Sequence, residues 1–361
     1  MHKVFRVVAA AMALLVTLSA TGCADTTWAV KVNGKSVSSG VYVAYLLSYR
    51  SDVLSSSGSG SSATDSGSSG NNPLSVTSSD ASSAKSASSN PWDRKIDGDS
   101  ASAWAVNSAL KDCERLAVTE ALASSRKLSL TSSETSTAKQ YAQTYYTYYT
   151  AYKSNGISQT SMQRLLSYQY LLKKVFDSYY GKGGEKAVAD ADLKNYYTAN
   201  FVHIKQIFFN KYDDSGNLLA ADKLAQVKAN AQKVFALAQA GKGSFDSLVT
   251  QYNEDSGMKS NPDGYIFDKS SSYLQVFKDT AFAMNVGDVK LIESDEGYHI
   301  MYKVAVDPSA STYNDDMKET VLESMKWSDF QSLIDQKVKQ AKIVKNAHTL
   351  NKYNPETLKD K

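Results

Sequence analysis

The 361-residue chain is poor in the residue types that usually announce a site. It has two cysteines, Cys23 and Cys113, too few for a disulfide framework or a four-thiolate zinc site. Its four histidines, His2, His203, His299 and His348, lie far apart, so no local pair has the spacing of a metal motif. Five prolines exclude a proline-rich linker protein. An excess of one charge is missing too. The 40 basic side chains nearly balance 37 acidic ones, and a formal charge of +3 leaves no electrostatic footprint for nucleic acid. There is no P-loop and no Gly-rich dinucleotide turn, and nothing calls for a metal or another cofactor. What is present, 42% hydrophobic and 21% charged residues, suits a folded protein long enough for two or three domains.

Lys3 and Arg6 precede an apolar run from Val7 to Val16, followed by small residues up to Cys23. Residues 1–22 therefore read as a secretory signal, and the run is shorter than the roughly 20 residues of a membrane span. Ala20-Thr21-Gly22-Cys23 resembles a bacterial lipobox, which makes Cys23 the expected lipidation site. Two or three acyl chains there would anchor the protein stably on the extracytoplasmic face of a membrane. Cys113, left alone, is expected to be a buried thiol on a helix face.

Trp28 to Val37 reads as a hairpin around Asn33-Gly34, and a helical pattern follows from Val41 to Tyr49. From about 55 to 90 the composition collapses to Ser, Gly, Ala and Asn, which cannot bury enough apolar surface to offset its ordering entropy, so a disordered insertion is expected. Helical periodicity returns at Asp99, and a capping signal ends at Glu134. A Tyr-rich stretch from Tyr141 to Tyr152 follows, suited either to packing against neighbouring helices or to adaptable contact with unfolded chains. Further helices are expected from Gly156 to Val175 and from Asp190 to Asn200.

The texture then changes. Phe201 to Phe209 alternates like a strand, and residues 220–240 form a long Ala/Lys/Leu helix. A short helix around Phe245 to Tyr252 follows, then a turn-rich piece from Asn253 to Gly264 and a short strand at Tyr265–Phe267. A helix from Tyr273 to Met284 and strands at Val289–Glu293 and Tyr298–Val306 complete an α+β unit, with helices on an antiparallel sheet. A helix from about Asn314 to Lys345 and a polar tail close the chain. The simplest geometry folds that helix back onto the first half. A solute-receptor lipoprotein would need two α/β lobes, and none is seen.

Several motifs occur in order between 201 and 306: Gly243-Ser244-Phe245-Asp246-Ser247-Leu248, Tyr252-Asn253-Glu254-Asp255, Asn261-Pro262-Asp263-Gly264-Tyr265-Ile266-Phe267, Phe277 with Ala281-Phe282, Gly287-Asp288-Val289 and Gly297-Tyr298-His299-Ile300. Together they resemble a parvulin-type peptidyl-prolyl isomerase domain, where the third motif stands for Gly-Asp-Leu-Gly-x-Phe. With the lipobox and the flanking helices, the chain is similar to foldase lipoproteins with a SurA-like helical chaperone region formed by both chain ends. The implied layout is a signal at 1–22, a helical chaperone region at 26–200, a parvulin-like domain at 201–306 and a returning C-terminal helix at 309–361.

The resemblance implies an isomerase that assists folding of exported proteins, with unfolded or newly exported polypeptides as partners and room for a homodimer. The alternative is a catalytically degenerate domain in a chaperone that holds chains without isomerising them. The resemblance puts His299 and Asp255 at catalytic positions and Phe277, Phe282 and Phe267 in the proline pocket. Tyr273 falls where the family usually has Met. Gln206, not His, occupies the position of the first catalytic histidine. His203 lies three residues earlier and so points to the opposite face of the strand.

Overall fold

A computed structural model of the chain describes residues 27–55, 90–241 and 243–360. The chain opens with β1 (Trp28–Val32), β2 (Lys35–Ser38) and α1 (Ser39–Ser55). After a single 3-10 turn at Pro91–Asp93 come β3 (Lys95–Ile96), β4 (Asp99–Ser100) and α2 (Ala101–Ser125). Four helices follow: α3 (Ser132–Tyr148), α4 (Thr150–Ser154), α5 (Gln159–Tyr180) and α6 (Asp190–Asn200). Next are β5 (Val202–Asn210), α7 (Ala221–Gln239), α8 (Phe245–Tyr252), α9 (Ser256–Ser260) and β6 (Tyr265–Phe267). The chain ends with α10 (Gln275–Ala283), β7 (Val289–Glu293), β8 (Gly297–Val304), α11 (Asp315–Gln340), β9 (Ile343–Lys345) and α12 (Ala347–Lys352). The expected export signal, Cys23, and all but the two ends of the Ser/Gly-rich insertion lie outside the described residues. Among the described residues, no helix is long and apolar enough to cross a membrane.

Local chemistry explains most boundaries. Asn33 and Gly34 both take positive φ, as the two-residue turn joining β1 to β2 requires. Thr131 and Glu134 close a reciprocal capping box on α3, with the Thr131 N–H donating to Glu134 Oε2 at 2.7 Å. Tyr149 is extended and splits the Tyr-rich stretch into α3 and α4.

The described residues fall into two compact units, 27–55, 90–172 and 337–360 in one and 173–336 in the other. The first is mainly helical and built from both chain ends, as expected. Its core includes Tyr42, Leu46, Leu116, Met162 and Leu165, and Cys113 is fully buried on α2 among them. One expectation fails here. The last helix stops at Gln340, and Ile343–Lys345 instead pairs antiparallel with β1. The β-branched Ile343 and Val344 meet an open strand edge, and pairing there outweighs continuation of the helical pattern. The polar tail packs onto this unit. Arg50 clasps the Asp360 carboxylate with two bonds of 3.0 Å and donates to the Pro355 carbonyl at 2.9 Å, while Leu358 is buried. The β3–β4 hairpin, turning at Asp97-Gly98, is an addition that helical periodicity does not reveal.

The second unit holds a four-stranded antiparallel sheet in the order β6-β5-β8-β7. Strand alternation sorts its faces. Ile207, Phe209, Tyr298 and Ile300 form a core with Ala231, Val234 and Leu248 from α7 and α8. Val202, Ile204 and Met301 meet Phe267, Phe277 and Ala281 on the other face. Pairing of Gln206 with Met301 and of Phe208 with His299 puts Gln206 and His299 on that second face.

Candidate functional site

The site grows from this second face. Gln206 on β5 and His299 on β8 are both buried in a surrounding that is otherwise largely apolar. A buried polar group must find a partner, and here each finds the other. The Gln206 Nε2 donates to Asp255 Oδ2 at 2.7 Å. Its Oε1 lies 3.0 Å from His299 Nδ1. A carboxylate only accepts, so the amide must turn its nitrogen to Asp255 and its oxygen to His299. His299 therefore carries its proton on Nδ1 and donates it to Gln206.

The other imidazole nitrogen is also engaged. Ser294 Oγ lies 2.9 Å from His299 Nε2 and accepts from the backbone N–H groups of Glu296 and Gly297 at 3.2 Å each. Its own hydrogen is left to donate to Nε2. Burial pushes the His299 imidazole down to about 4, against the opposing pull of Asp255 and with a smaller contribution from Lys211. The ring is thus neutral at neutral pH, as its two hydrogen bonds require.

Asp255 reaches the site because its loop is stitched to β5. The Asn253 side chain accepts from the backbone N–H of Phe208 at 2.8 Å, and the Glu254 N–H donates to the Phe208 carbonyl at 3.0 Å. Asp255 Oδ1 accepts from the Gly257 N–H at 2.8 Å and caps α9. Asp255 Oδ2 takes a second donor, the Tyr265 hydroxyl, at 2.7 Å. Burial and this bond hold the Tyr265 phenol well above the usual tyrosine range, so it remains a donor. A Cβ at Gly257 would collide with the Tyr265 hydroxyl, so any larger residue there would force that side chain to shift.

An aromatic cup surrounds the polar chain. Phe267 contacts Tyr273, Phe277 and Phe282 at ring-centroid distances of 4.6, 5.8 and 6.4 Å. Phe277 lies edge-on to His299 at 5.7 Å, and Phe208 covers the imidazole at 4.8 Å. Tyr273 sits in the loop before α10, not within the helix, and is 36% exposed at the rim. All seven of Gln206, Asp255, His299, Phe267, Tyr273, Phe277 and Phe282 thus gather at one place. His203 is elsewhere, its Nε2 2.5 Å from the Asp263 carbonyl.

Sequence reasoning passed over Phe208, Tyr265 and Ser294. Phe208 shares the face of Gln206 by strand parity. Tyr265 had a signal of its own. With Phe267 aligned on the final Phe of Gly-Asp-Leu-Gly-x-Phe, Tyr265 stands at the second glycine. Ser294 carried no signal, because only the β7–β8 turn brings it beneath His299.

Residues 209–305 match the rotamase family, described as a PPIC-type PPIase domain. The chain carries a parvulin-type domain. That domain sits within an α+β fold, with a four-stranded antiparallel sheet packed by helices. The match begins three residues after Gln206 and includes Asp255, Tyr265, the aromatic cup and His299. Two curated relatives, foldase proteins PrsA from two strains of Clostridium perfringens, are each 30% identical over 145 residues, covering 38% of this chain. The chain spans about 40% of the length of the curated relatives it matches. Among solved structures, the foldase protein PrsA from Streptococcus pneumoniae is 20% identical with a TM-score of 0.38, over 67% of this chain and 86% of that one. PrsA from Bacillus subtilis is 20% identical with a TM-score of 0.33, over 68% and 90%.

Proposed function

We propose that the chain is an extracytoplasmic foldase, tethered through Cys23, in which residues 201–306 catalyse cis–trans isomerisation of X–Pro bonds in exported polypeptides. The mainly helical unit built from both chain ends, with residues 27–55, 90–172 and 337–360, is the chaperone region that engages those polypeptides. The observation that carries the reading is the hydrogen-bonded chain from Ser294 through the buried, neutral His299 and Gln206 to the Asp255 carboxylate, lying beneath an aromatic cup.

Rotation about an X–Pro bond faces a barrier of about 18–20 kcal/mol and needs no covalent step. A catalyst has only to bind the twisted amide better than either planar form. The cup of Phe267, Phe277, Phe282 and Tyr273 suits the apolar pyrrolidine ring. Twisting breaks amide resonance and returns a lone pair to the proline nitrogen. A site that is apolar yet lined with fixed hydrogen-bonding groups favours that less polar, twisted state over the solvated planar one. Gln206 serves in the chain because an amide both donates and accepts, as a neutral imidazole does.

Support for chain binding lies in the first unit. The rings of Tyr141, Tyr145, Tyr149 and Tyr152 run in a ladder with centroid spacings of 6.4, 5.8 and 5.9 Å. Tyr141, Tyr148 and Tyr149 are exposed, and tyrosine offers contact area at low entropic cost.

The test is a prolyl-isomerisation assay on a short X–Pro peptide with the mature, unlipidated chain. Acceleration by the wild type, with most of it lost in both His299→Ala and Phe277→Ala, is the expected result. A wild type that only matches the buffer rate removes the isomerase reading and leaves a chaperone that holds chains.

A further inference from the structure

Asp255 Oδ2 is the one atom of the polar chain that receives two side-chain donors, and the second of them is Tyr265. We propose that the Tyr265 hydroxyl is a positioning group of the site, which locks Asp255 so that the carboxylate in turn fixes the orientation of the Gln206 amide. The proposal rests on the isomerase reading for its kinetic arm only.

Three observations carry it. First, the geometry is specific. The hydroxyl lies 2.7 Å from Oδ2, the same length as the Gln206 bond to that atom, while Gly257 holds Oδ1 at 2.8 Å. Asp255 is thus gripped from three directions, by one backbone and two side-chain donors. Second, room has been made for the phenol. Residue 257 is a glycine whose added Cβ would strike the Tyr265 oxygen, so the loop carrying Asp255 and the strand carrying Tyr265 are fitted to each other. Third, the hydroxyl's polar partners belong to this network, the Asp255 carboxylate and the Gln206 side chain beside it. The Tyr265 ring meets Tyr273 at 5.7 Å at the rim, and its oxygen is turned inward to the carboxylate.

The consequence follows from the chemistry of Gln206. An amide side chain has two nearly equal orientations, and only one is compatible with His299 donating from Nδ1. A carboxylate fixed in place selects that orientation, whereas a carboxylate free to swing away would release it. The gap matters here because Gln206, unlike a charged donor, cannot hold Asp255 by ion pairing.

The experiment compares wild type with Tyr265→Phe, which keeps the ring and removes only the oxygen. One arm is nuclear magnetic resonance of the Gln206 side-chain amide in the full mature chain. In the wild type its two hydrogens should be distinct and slow to exchange with water. In Tyr265→Phe they should exchange at least about tenfold faster, with the thermal midpoint of unfolding nearly unchanged. The other arm is isomerase kinetics. Tyr265→Phe should lower kcat about five- to tenfold with KM little altered, the loss of one charge-assisted hydrogen bond. Members of one network are not additive, so in a Gln206→His background the same change should cost at most about twofold.

An amide signature unchanged by Tyr265→Phe overturns the proposal, as does a kinetic penalty that is equal in the two backgrounds. A rise in KM alone would make Tyr265 a wall of the cup and overturn it too. If the wild type proves inactive, the isomerase reading fails, and the amide exchange alone decides for or against the proposal.

Discussion

Phe208 and Phe209 are neighbours on β5, yet one covers the His299 imidazole and the other is buried under α7 and α8. The same strand pair builds two different environments. On the side of Phe209, Ile207, Tyr298 and Ile300 face helices and nearly every contact is apolar. On the side of Phe208, Gln206 and His299 are also buried and are satisfied by one another, by Asp255 and by Ser294, with the Tyr265 hydroxyl beside Gln206. Alternation of period two lets the chain place stability on one face and chemistry on the other, one residue apart. The polar face depends on every link being present, because a half-satisfied buried network costs more than an apolar core.

Mutations on the two faces should therefore separate folding from activity. The largest effect on stability is expected from Ile300→Ala, a fully buried side chain on the apolar face. It should cost about 3 kcal/mol in denaturant unfolding, with isomerase activity per folded molecule retained. Equal losses of activity and stability would break the comparison.

The second prediction concerns pH. His299 has a folded-state value of about 4 against an unfolded one of 6.5, so the unfolded chain binds a proton more readily. Stability from this residue is complete above about pH 6.5, declines as pH falls, and is fully lost below about pH 4. The loss is about 3 kcal/mol by linkage. Urea titrations between pH 7.5 and 4 should show this extra decline in the wild type and not in His299→Phe.

Next in size, His299→Ala should lower kcat/KM about a hundredfold, close to 2.7 kcal/mol. Its stability cost at pH 7 should be smaller than that of Ile300→Ala. The smallest effect is expected from Gln206→Leu, which removes two hydrogen bonds yet keeps an apolar filling. It should cost about 1–2 kcal/mol and leave His299 titrating at a changed value, read by nuclear magnetic resonance.

The two faces also differ in how far the sequence reveals them. Strand parity alone separates His203 from Gln206, and the structure sends His203 to the Asp263 carbonyl and Gln206 to His299. The ordered motifs locate Asp255, Phe277 and His299 before any coordinates. Tyr265 and Ser294 are less visible because their parts arise from contacts across turns, between residues with no shared periodicity. The same holds for β9, which reads as the end of a helix until β1 offers it an edge. Short-range pattern reports which face a side chain takes. It does not report which distant group will satisfy it.

The most direct test of the account is the isomerisation rate of an X–Pro peptide with wild type and Gln206→His side by side. The account treats Gln206 as a working neutral link between His299 and Asp255. It predicts clear acceleration by the wild type and a change of no more than several-fold on introducing histidine. A wild type at the buffer rate, with activity appearing only in Gln206→His, would contradict it.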